Sequence, residues 1–448
     1  MTFPPTPRVR KRLRSSPRQP EWRDNLKSDG RAVLVAQWYA PEPVSVPVLT
    51  AKELVQSGLS VQVLTGIPNL PEGKVHAPYK AWKSYKEDLD GVGVLRAPLY
   101  PNHSTSAIKR MLNYLSWSAS ATIVGWRALR TSDVNVVHCT PATAAIPALL
   151  ARWIHGTPYV VIIQDLWPDT VAASGFVRSP TANRLISRVL DKAVSALYGN
   201  AAQIAVISDG MQQTLEDRGF SPDRISRVFN SVDETIFAPQ EVDPHVRSRY
   251  GISDDSLLLV YAGNQGSAQD LEPLVRAVAD LKDKGVELLL VGWGVERPKL
   301  EGLAHKVAPD NIQFVDRVSP TEVATIQSAA DLSVVSLKDD PLFRITIPSK
   351  LQTLLASARP VLGIVSGDPR TLIEEASAGF VADPGDSESI RNTILTARAQ
   401  SSESLDTMGK AGREYYLEQM SSQRRSSALR RLFDRARSSV PSRQQSAK

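Results

Sequence analysis

The sequence predicts an α/β protein of two Rossmann-like domains, each a parallel sheet flanked by helices, facing each other across a cleft. Three observations carry that expectation. A chain of 448 residues exceeds what one hydrophobic core supports, since cores stop growing beyond roughly 250 to 300 residues. Short continuous apolar strands alternate with helical segments, the pattern of parallel strands buried on both faces. The alternation runs twice along the chain and is broken once, by a loop at SRVFNSVDETIFAP.

The first series begins at Arg31. RAVLVAQWY is an apolar strand, APEPVSVP a turn, and LTAKELVQSG a helix ended by Gly58. SVQVLTGIP, GVGVLRAPL (after a polar insertion), NVVHCTP and PYVVIIQDLWP follow as strands, and QIAVISDGMQQTLEDRG adds a strand and a helix. The second series runs through the strands SLLLVYAGNQG, VELLLVGWG, IQFVDRV, LSVVSL, RPVLGIV and AGFVAD, with helices such as LEPLVRAVADLKDKG and SKLQTLLASA between them. The expected domains are residues 31–205 and 206–400. Helices over 401–436 cross back to brace the first domain; a basic Pro/Arg-rich arm (1–30) and a tail (437–448) are expected to be disordered.

Composition bounds the rest. A hydrophobic fraction of 42% with 22% charged residues fits a globular protein that buries sizeable cores. The one cysteine, Cys139, sits in an apolar stretch, so neither an internal disulfide nor a thiolate metal cage can form, which fits a reducing cytoplasmic compartment. The first thirty residues lack the apolar core of a secretory signal, and no run reaches the ~18 to 20 apolar residues of a membrane span. The net charge of +6 comes largely from the two ends. Those ends are either simply solvated or attracted to an anionic membrane; nucleic acid is not expected, because no aromatic-interleaved basic groove accompanies the charge.

Ligands of open parallel sheets bind at the carboxyl ends of the strands. There the second series offers GNQGSAQDLEPL, where Gly263 and Gly266 flank Asn264 and let backbone N–H groups approach a phosphate, or form an ordinary turn. VGWGVERPKL presents Gly292 and Gly294 but has Arg297 where a dinucleotide fingerprint has its third glycine, which disfavours a nicotinamide cofactor. LKDDPLFRITIPSKLQTLLAS places Arg344 and Thr346 in a loop and Pro348, Ser349 and Lys350 at a helix start. A diphosphate fits that end, because a lysine, an arginine and a helix dipole stabilise the charge of a departing leaving group; Lys350 alternatively is a solvated first-turn lysine. In the first series Asp165 either orients or deprotonates an acceptor hydroxyl or caps the following segment, and His138 is either catalytic or a buried structural histidine.

Taken in order and spacing, QWYAPEP, VLTGIPNLPEGKV, DGVGVLRAPLYPNHS, QDLWPDT, ISDGM, FNSVDETIF, YAGNQG, LVGWG, DDPLFR–TIPSKL and GFVADPGD resemble the retaining GT-B glycosyltransferases of family 4. The resemblance spans about residues 31 to 400 and is nearest to the bacterial fucosaminyl-type transferases of O-antigen and capsule synthesis. It implies a nucleotide-diphosphate sugar held by the second domain, domain closure, front-face transfer with retention, and no obligatory metal or other cofactor. It places Gly263, Asn264, Gly266, Gly292, Gly294, Thr346, Ser349, Lys350, Leu351 and Thr353 around the donor, with Arg317 and Val318 near the base. Arg344 and Lys350 would act on the phosphates, and Asp165 and His138 at the reacting sugar. Tyr39, Pro41, Glu42, Pro43, Asn69, Asn102 and His103 would meet the acceptor. Two departures stand out. The family's paired glutamates fall on Ile345 and Thr353, and its Gly-rich acceptor loop is replaced by Val44-Ser45-Val46-Pro47.

The function expected is transfer of a sugar, UDP-linked and of amino or deoxy type, to a saccharide or lipid-linked acceptor in surface polysaccharide synthesis. A silent nucleotide-sugar-binding scaffold and a nucleotide-sugar epimerase are the rival readings. Residues 109–130, KRMLNYLSWSASATIVGWRALR, form a helix that either rests in a bilayer interface through Tyr114, Trp117 and Trp126 or packs in the core of the first domain.

Overall fold

The computed structural model describes residues 28–104, 106–167, 169, 180–307 and 310–439. Most of the basic arm and of the tail, and Pro168 and Thr170 of QDLWPDT, lie outside them. Two sheets form two domains. The first holds β1 (Arg31–Val35), β2 (Ser60–Gly66), β3 (Tyr85–Leu89), β4 (Val92–Ala97), β5 (Val134–Cys139), β6 (Tyr159–Ile163), β7 (Gln203–Val206) and β8 (Ile225–Arg227), in the order β3-β4-β2-β1-β5-β6-β7-β8. The second holds β9 (Leu257–Ala262), β10 (Val286–Val291), β11 (Ile312–Val315), β12 (Leu332–Ser336), β13 (Val361–Ile364) and β14 (Gly379–Ala382), in the order β11-β10-β9-β12-β13-β14.

Every pairing is parallel except β3 with β4. Residues 85–89, read from the sequence as part of a polar insertion, thus form an antiparallel edge strand; its side chains alternate between exposed and half-buried, so no continuous apolar run announces it. The expected boundary at 205/206 also moves. The helix α3 (Asp209–Asp217) and β8 both belong to the first domain, because β8 continues the first sheet beside β7. Only three residues long, β8 lies hidden in a stretch that reads as loop.

Each sheet is covered on both faces. In the first domain, α2 (Ala107–Thr131) lies on the face whose core includes Val35, Leu64, Val137 and Ile163. Trp117 is fully buried there and Tyr114 and Trp126 pack against the same core, so these aromatic side chains serve the domain interior rather than a bilayer interface. The other face packs α1 (Ser45–Gln56) and the last of the described helices. The expected C-terminal brace is two helices. The helix α5 (Ser402–Gln419) stays on the second domain; the chain turns at Met420 and Ser421, and α6 (Ser422–Ser438) crosses to the first sheet. Leu429, Leu432, Phe433 and Ala436 of α6 complete a core with Leu34, Leu54, Val63 and Val136. Residues 437 and 438, assigned to the tail, still belong to α6.

The strand orders fix where ligands can bind. In each sheet the winding reverses once, between β1 and β5 and between β9 and β12, and the crevice outside the carboxyl ends of those strands is the binding position of such folds. Among the described residues no helix is long and apolar enough to cross a membrane.

Candidate donor and acceptor site

At the reversal point of the second domain, β9 runs into Gly263 (φ +140°), a backbone conformation that glycine adopts without penalty. A side chain there would also be obstructed, since a Cβ on Gly263 would stand 2.4 Å from Cε of Lys350. Lys350 lies in the first turn of α4 (Ser349–Ala356), the helix that follows β12. Its Nζ sits 3.8 Å from the ring centroid of Tyr261 and bonds the Tyr261 hydroxyl, which in turn donates to the Asn264 carbonyl. No carboxylate pairs with it among the described residues, and burial pushes its pKa down to about 7. A half-buried ammonium without a counter-ion at a helix N-terminus is an arrangement that an anion completes.

The glycine loops pack on one another. A Cβ on Gly292 (φ +124°) would meet the Gly263 carbonyl oxygen at 2.2 Å, and one on Gly294 would meet the Gln265 carbonyl oxygen at 2.1 Å. The loops after β9 and β10 therefore form one surface beside Lys350, and Gly263, Asn264, Gly266, Gly292 and Gly294 are brought together as expected. Arg317 and Val318 follow β11 on the next strand; Arg317 is exposed and Val318 packs on the sheet.

Other expected donor residues are committed elsewhere. Arg344 holds Asp339 through Nε and Nη2 at 2.7 and 2.8 Å, so its guanidinium is turned to the surface. The Thr346 hydroxyl donates to the Leu342 carbonyl and the Thr353 hydroxyl to the Lys350 carbonyl. The Leu351 side chain is fully buried in the core and its N–H bonds the Pro348 carbonyl, so it offers no side-chain contact to a phosphate. Ile345, at one of the two positions where the family 4 resemblance implies a glutamate, instead joins the domains. Its carbonyl accepts from Ser208 Oγ, and a Cβ on Gly210 of α3 would lie 2.4 Å from its Cγ2. Beside it the Gly210 N–H donates to Asp368 Oδ2 at 2.7 Å.

In the first domain, Asp165 lies half-buried two residues beyond the end of β6, and burial raises its pKa. A chain of rings runs through Tyr114, which feels the Asp165 charge. His103 lies 5.8 Å from Trp38, Trp38 lies 6.2 Å from Tyr114, and Tyr114 lies 6.4 Å from Trp167. The His103 ring bonds Asn69 Oδ1 at 2.8 Å, while Asn102 accepts from Ser104.

Three expected residues turn out structural. Tyr39 is 3% exposed, inside the core beneath α1, and so cannot reach an acceptor. Glu42 accepts the N–H groups of Tyr39, Asn69 and Leu70, which fastens the two loops together and leaves it 4% exposed between the exposed Pro41 and Pro43. His138 is 6% exposed on the strand face of Val134 and Val136; burial pushes its pKa down to about 3, with Arg425 adding to the effect. A neutral, enclosed imidazole there does not fit acid–base catalysis. Two residues on, Thr140 stands at the carboxyl end of the same strand with its hydroxyl unpartnered. Thr140 and Tyr261 are unmarked in the sequence, because a lone threonine or tyrosine at a strand end carries no motif.

Two doubly wound domains with a C-terminal helix that crosses back form the GT-B architecture, and the family matches over both domains make the chain a glycosyltransferase. The chain carries a glycosyl transferase 4-like domain over residues 47–231 and a glycosyl transferases group 1 domain over residues 256–399. It is 26% identical over 326 residues to WcaI of Escherichia coli (strain K12), assigned to colanic acid biosynthesis as a glycosyl transferase; the match spans 71% of this chain and 79% of WcaI. Its fold resembles sucrose-phosphate synthase from Thermosynechococcus elongatus, with a TM-score of 0.69, 17% identity, and 90% of this chain and 98% of the other covered. It resembles likewise Anabaena HepE solved with UDP-glucose, at TM-score 0.63 and 13% identity, covering 90% and 99%. Among the described residues no group of three or more His, Cys, Asp or Glu is placed to hold a metal ion.

Proposed function

We propose that the enzyme transfers a sugar from a UDP-linked donor, of amino or deoxy type as in the fucosaminyl-type transferases, to a saccharide or lipid-linked acceptor in surface polysaccharide synthesis. The observation that carries this reading is Lys350, an unpaired, desolvated lysine at a helix N-terminus against a glycine loop. The diphosphate would lie on Lys350 and the backbone of Gly263 and Gly266. As the bond from the anomeric carbon to the diphosphate oxygen lengthens, the charge growing on that oxygen is met by Lys350 and by the helix dipole of α4. The acceptor hydroxyl would attack from the same face, passing its proton to the departing phosphate oxygen, with retention. Asp165 would orient that hydroxyl and stabilise positive charge on the sugar.

The acceptor side has its own support. On the face of α2 away from the core, Ile108, Leu112, Leu115 and Ile123 are 76, 52, 45 and 79% exposed, with exposed Lys109, Arg127 and Arg130 near the helix ends and no acidic residue in the helix. Such a face suits peripheral contact with an anionic membrane that carries a lipid-linked acceptor.

A second reading, a nucleotide-sugar-binding protein without turnover, is favoured by Ile345 occupying a domain contact where the family 4 resemblance implies a carboxylate. Calorimetry with UDP and GDP on the wild type and Lys350→Ala, followed by turnover of UDP- and GDP-sugars with membrane extract, tests both. Loss of binding in Lys350→Ala together with sugar incorporation is the expected result. Unchanged UDP affinity in Lys350→Ala would overturn the donor site, and binding without turnover would select the second reading.

A further inference from the structure

Between Gly292 and Gly294, at the carboxyl end of β10, stands Trp293, 52% exposed. One side of its indole is backed by Arg297, whose guanidinium carbon lies 5.0 Å from the ring centroid. Arg297 is itself only 5% exposed and immobilised. It donates to the carbonyls of Gly292 at 2.6 Å and Val315 at 3.1 Å, pairs with Glu301 at 2.6 Å and Asp316 at 3.0 Å, and lies 5.7 Å from the Phe314 ring. The loop is pinned as well, since the Trp293 carbonyl accepts from the Gln265 N–H at 3.0 Å. An aromatic ring fixed from below by a buried cation, and exposed over half its surface, is a preformed stacking platform.

Its position on the sheet edge says what would stack there. The carboxyl ends run in the order β11, β10, β9, β12, and Lys350 stands where β9 meets α4. From there toward β13 the edge is closed by the contacts of Ser208 with Ile345 and Gly210 with Asp368. A nucleotide anchored by its diphosphate at Lys350 can extend only the other way, across Gly263 and Gly292 and onto Trp293, within two strand spacings or ~10 Å. We infer that Trp293 is the platform on which the nucleobase of the donor stacks, so that it sets base affinity separately from phosphate affinity. The inference rests on the donor site proposed above.

Calorimetry with UDP, ADP, GDP and inorganic pyrophosphate separates the two. Trp293→Ala is expected to lose about tenfold in affinity for the tightest-binding nucleoside diphosphate while keeping its affinity for pyrophosphate, and Trp293→Phe, which keeps a ring, to recover most of the loss. Melting temperatures taken alongside show that both variants fold. Wild-type nucleotide affinity in Trp293→Ala, or an equal loss for nucleotide and pyrophosphate in both variants, overturns the stacking role and leaves the donor site standing. A wild-type protein that binds none of the four ligands overturns both.

Discussion

Arg425 of α6 bonds Glu53 of α1 across 372 residues of sequence, and both side chains are 1% exposed. Glu53 also accepts from Ser231 in the segment that leaves the first domain, and Arg425 reaches Asn230 at 3.4 Å, which exchanges amide hydrogen bonds with Gln164. Burial pushes the Glu53 carboxyl up, and Arg425 opposes it. Removing one partner strands the other charge in the core. Arg425→Leu should therefore cost about 3–5 kcal/mol, and the double variant with Glu53→Leu should recover much of that, as read by chemical denaturation.

Nucleotide binding should take up a proton. Lys350 titrates near 7 in the free protein and is held protonated once a diphosphate lies against it, so affinity falls as pH rises above 7, by up to about tenfold per unit. Calorimetry at pH 8 in buffers of different ionisation enthalpy measures the proton taken up. Lys350→Met should abolish both the uptake and the slope.

Gly263→Ala and Gly292→Ala should fail differently. At Gly263 the added Cβ meets the far end of the Lys350 side chain, which can swing aside, so stability falls by about 1–3 kcal/mol for the positive φ alone while nucleotide affinity drops with the displaced ammonium. At Gly292 the Cβ adds to a similar strain a 2.2 Å clash with the Gly263 carbonyl, which cannot move alone, and the melting temperature should fall further than in Gly263→Ala. Thermal unfolding paired with UDP titration distinguishes the two.

Asp165→Asn should lower turnover by about 10²- to 10⁴-fold with unchanged UDP affinity, since the carboxylate faces the acceptor side. Because its pKa is raised by burial, the acid limb of the wild-type rate profile should be shifted upward from the ordinary aspartate value. His138→Gln should leave the limbs of that profile where they are. Initial rates across pH check all three.

Ile123→Asp with Leu115→Asp should abolish flotation with vesicles containing anionic lipid while leaving UDP binding intact, because both side chains point away from the core. Retained flotation would remove α2 from any membrane contact.

The parallel alternation of apolar strands and helices made both domains legible, because strands buried on both faces read as continuous apolar runs. What escaped was short or half-exposed. The three-residue β8 and the edge strand β3 carry too few buried positions to show periodicity, and so the boundary fell too early. At the site, glycines with positive φ and the Pro348-Ser349-Lys350 helix start were visible because backbone geometry demands particular residue types. The fates of Tyr39, Glu42 and His138 were not, since a polar side chain beside a cleft and one under a helix look alike in one dimension. In the sequence Trp293 is only the residue between two glycines. Its significance comes from Arg297, four positions later, folding back beneath it.

Phe433 of α6 touches the start of the first sheet so closely that a Cβ on Gly30 would lie 2.8 Å from its ring. The hydrophobic interior of the amino-terminal half is therefore finished by side chains that a ribosome adds only after the whole second sheet. During synthesis that half must wait, one flank of its sheet open, until α6 has emerged. A nascent chain halted before Leu429 should need a chaperone to stay out of aggregates, although every strand of its first domain has already been made.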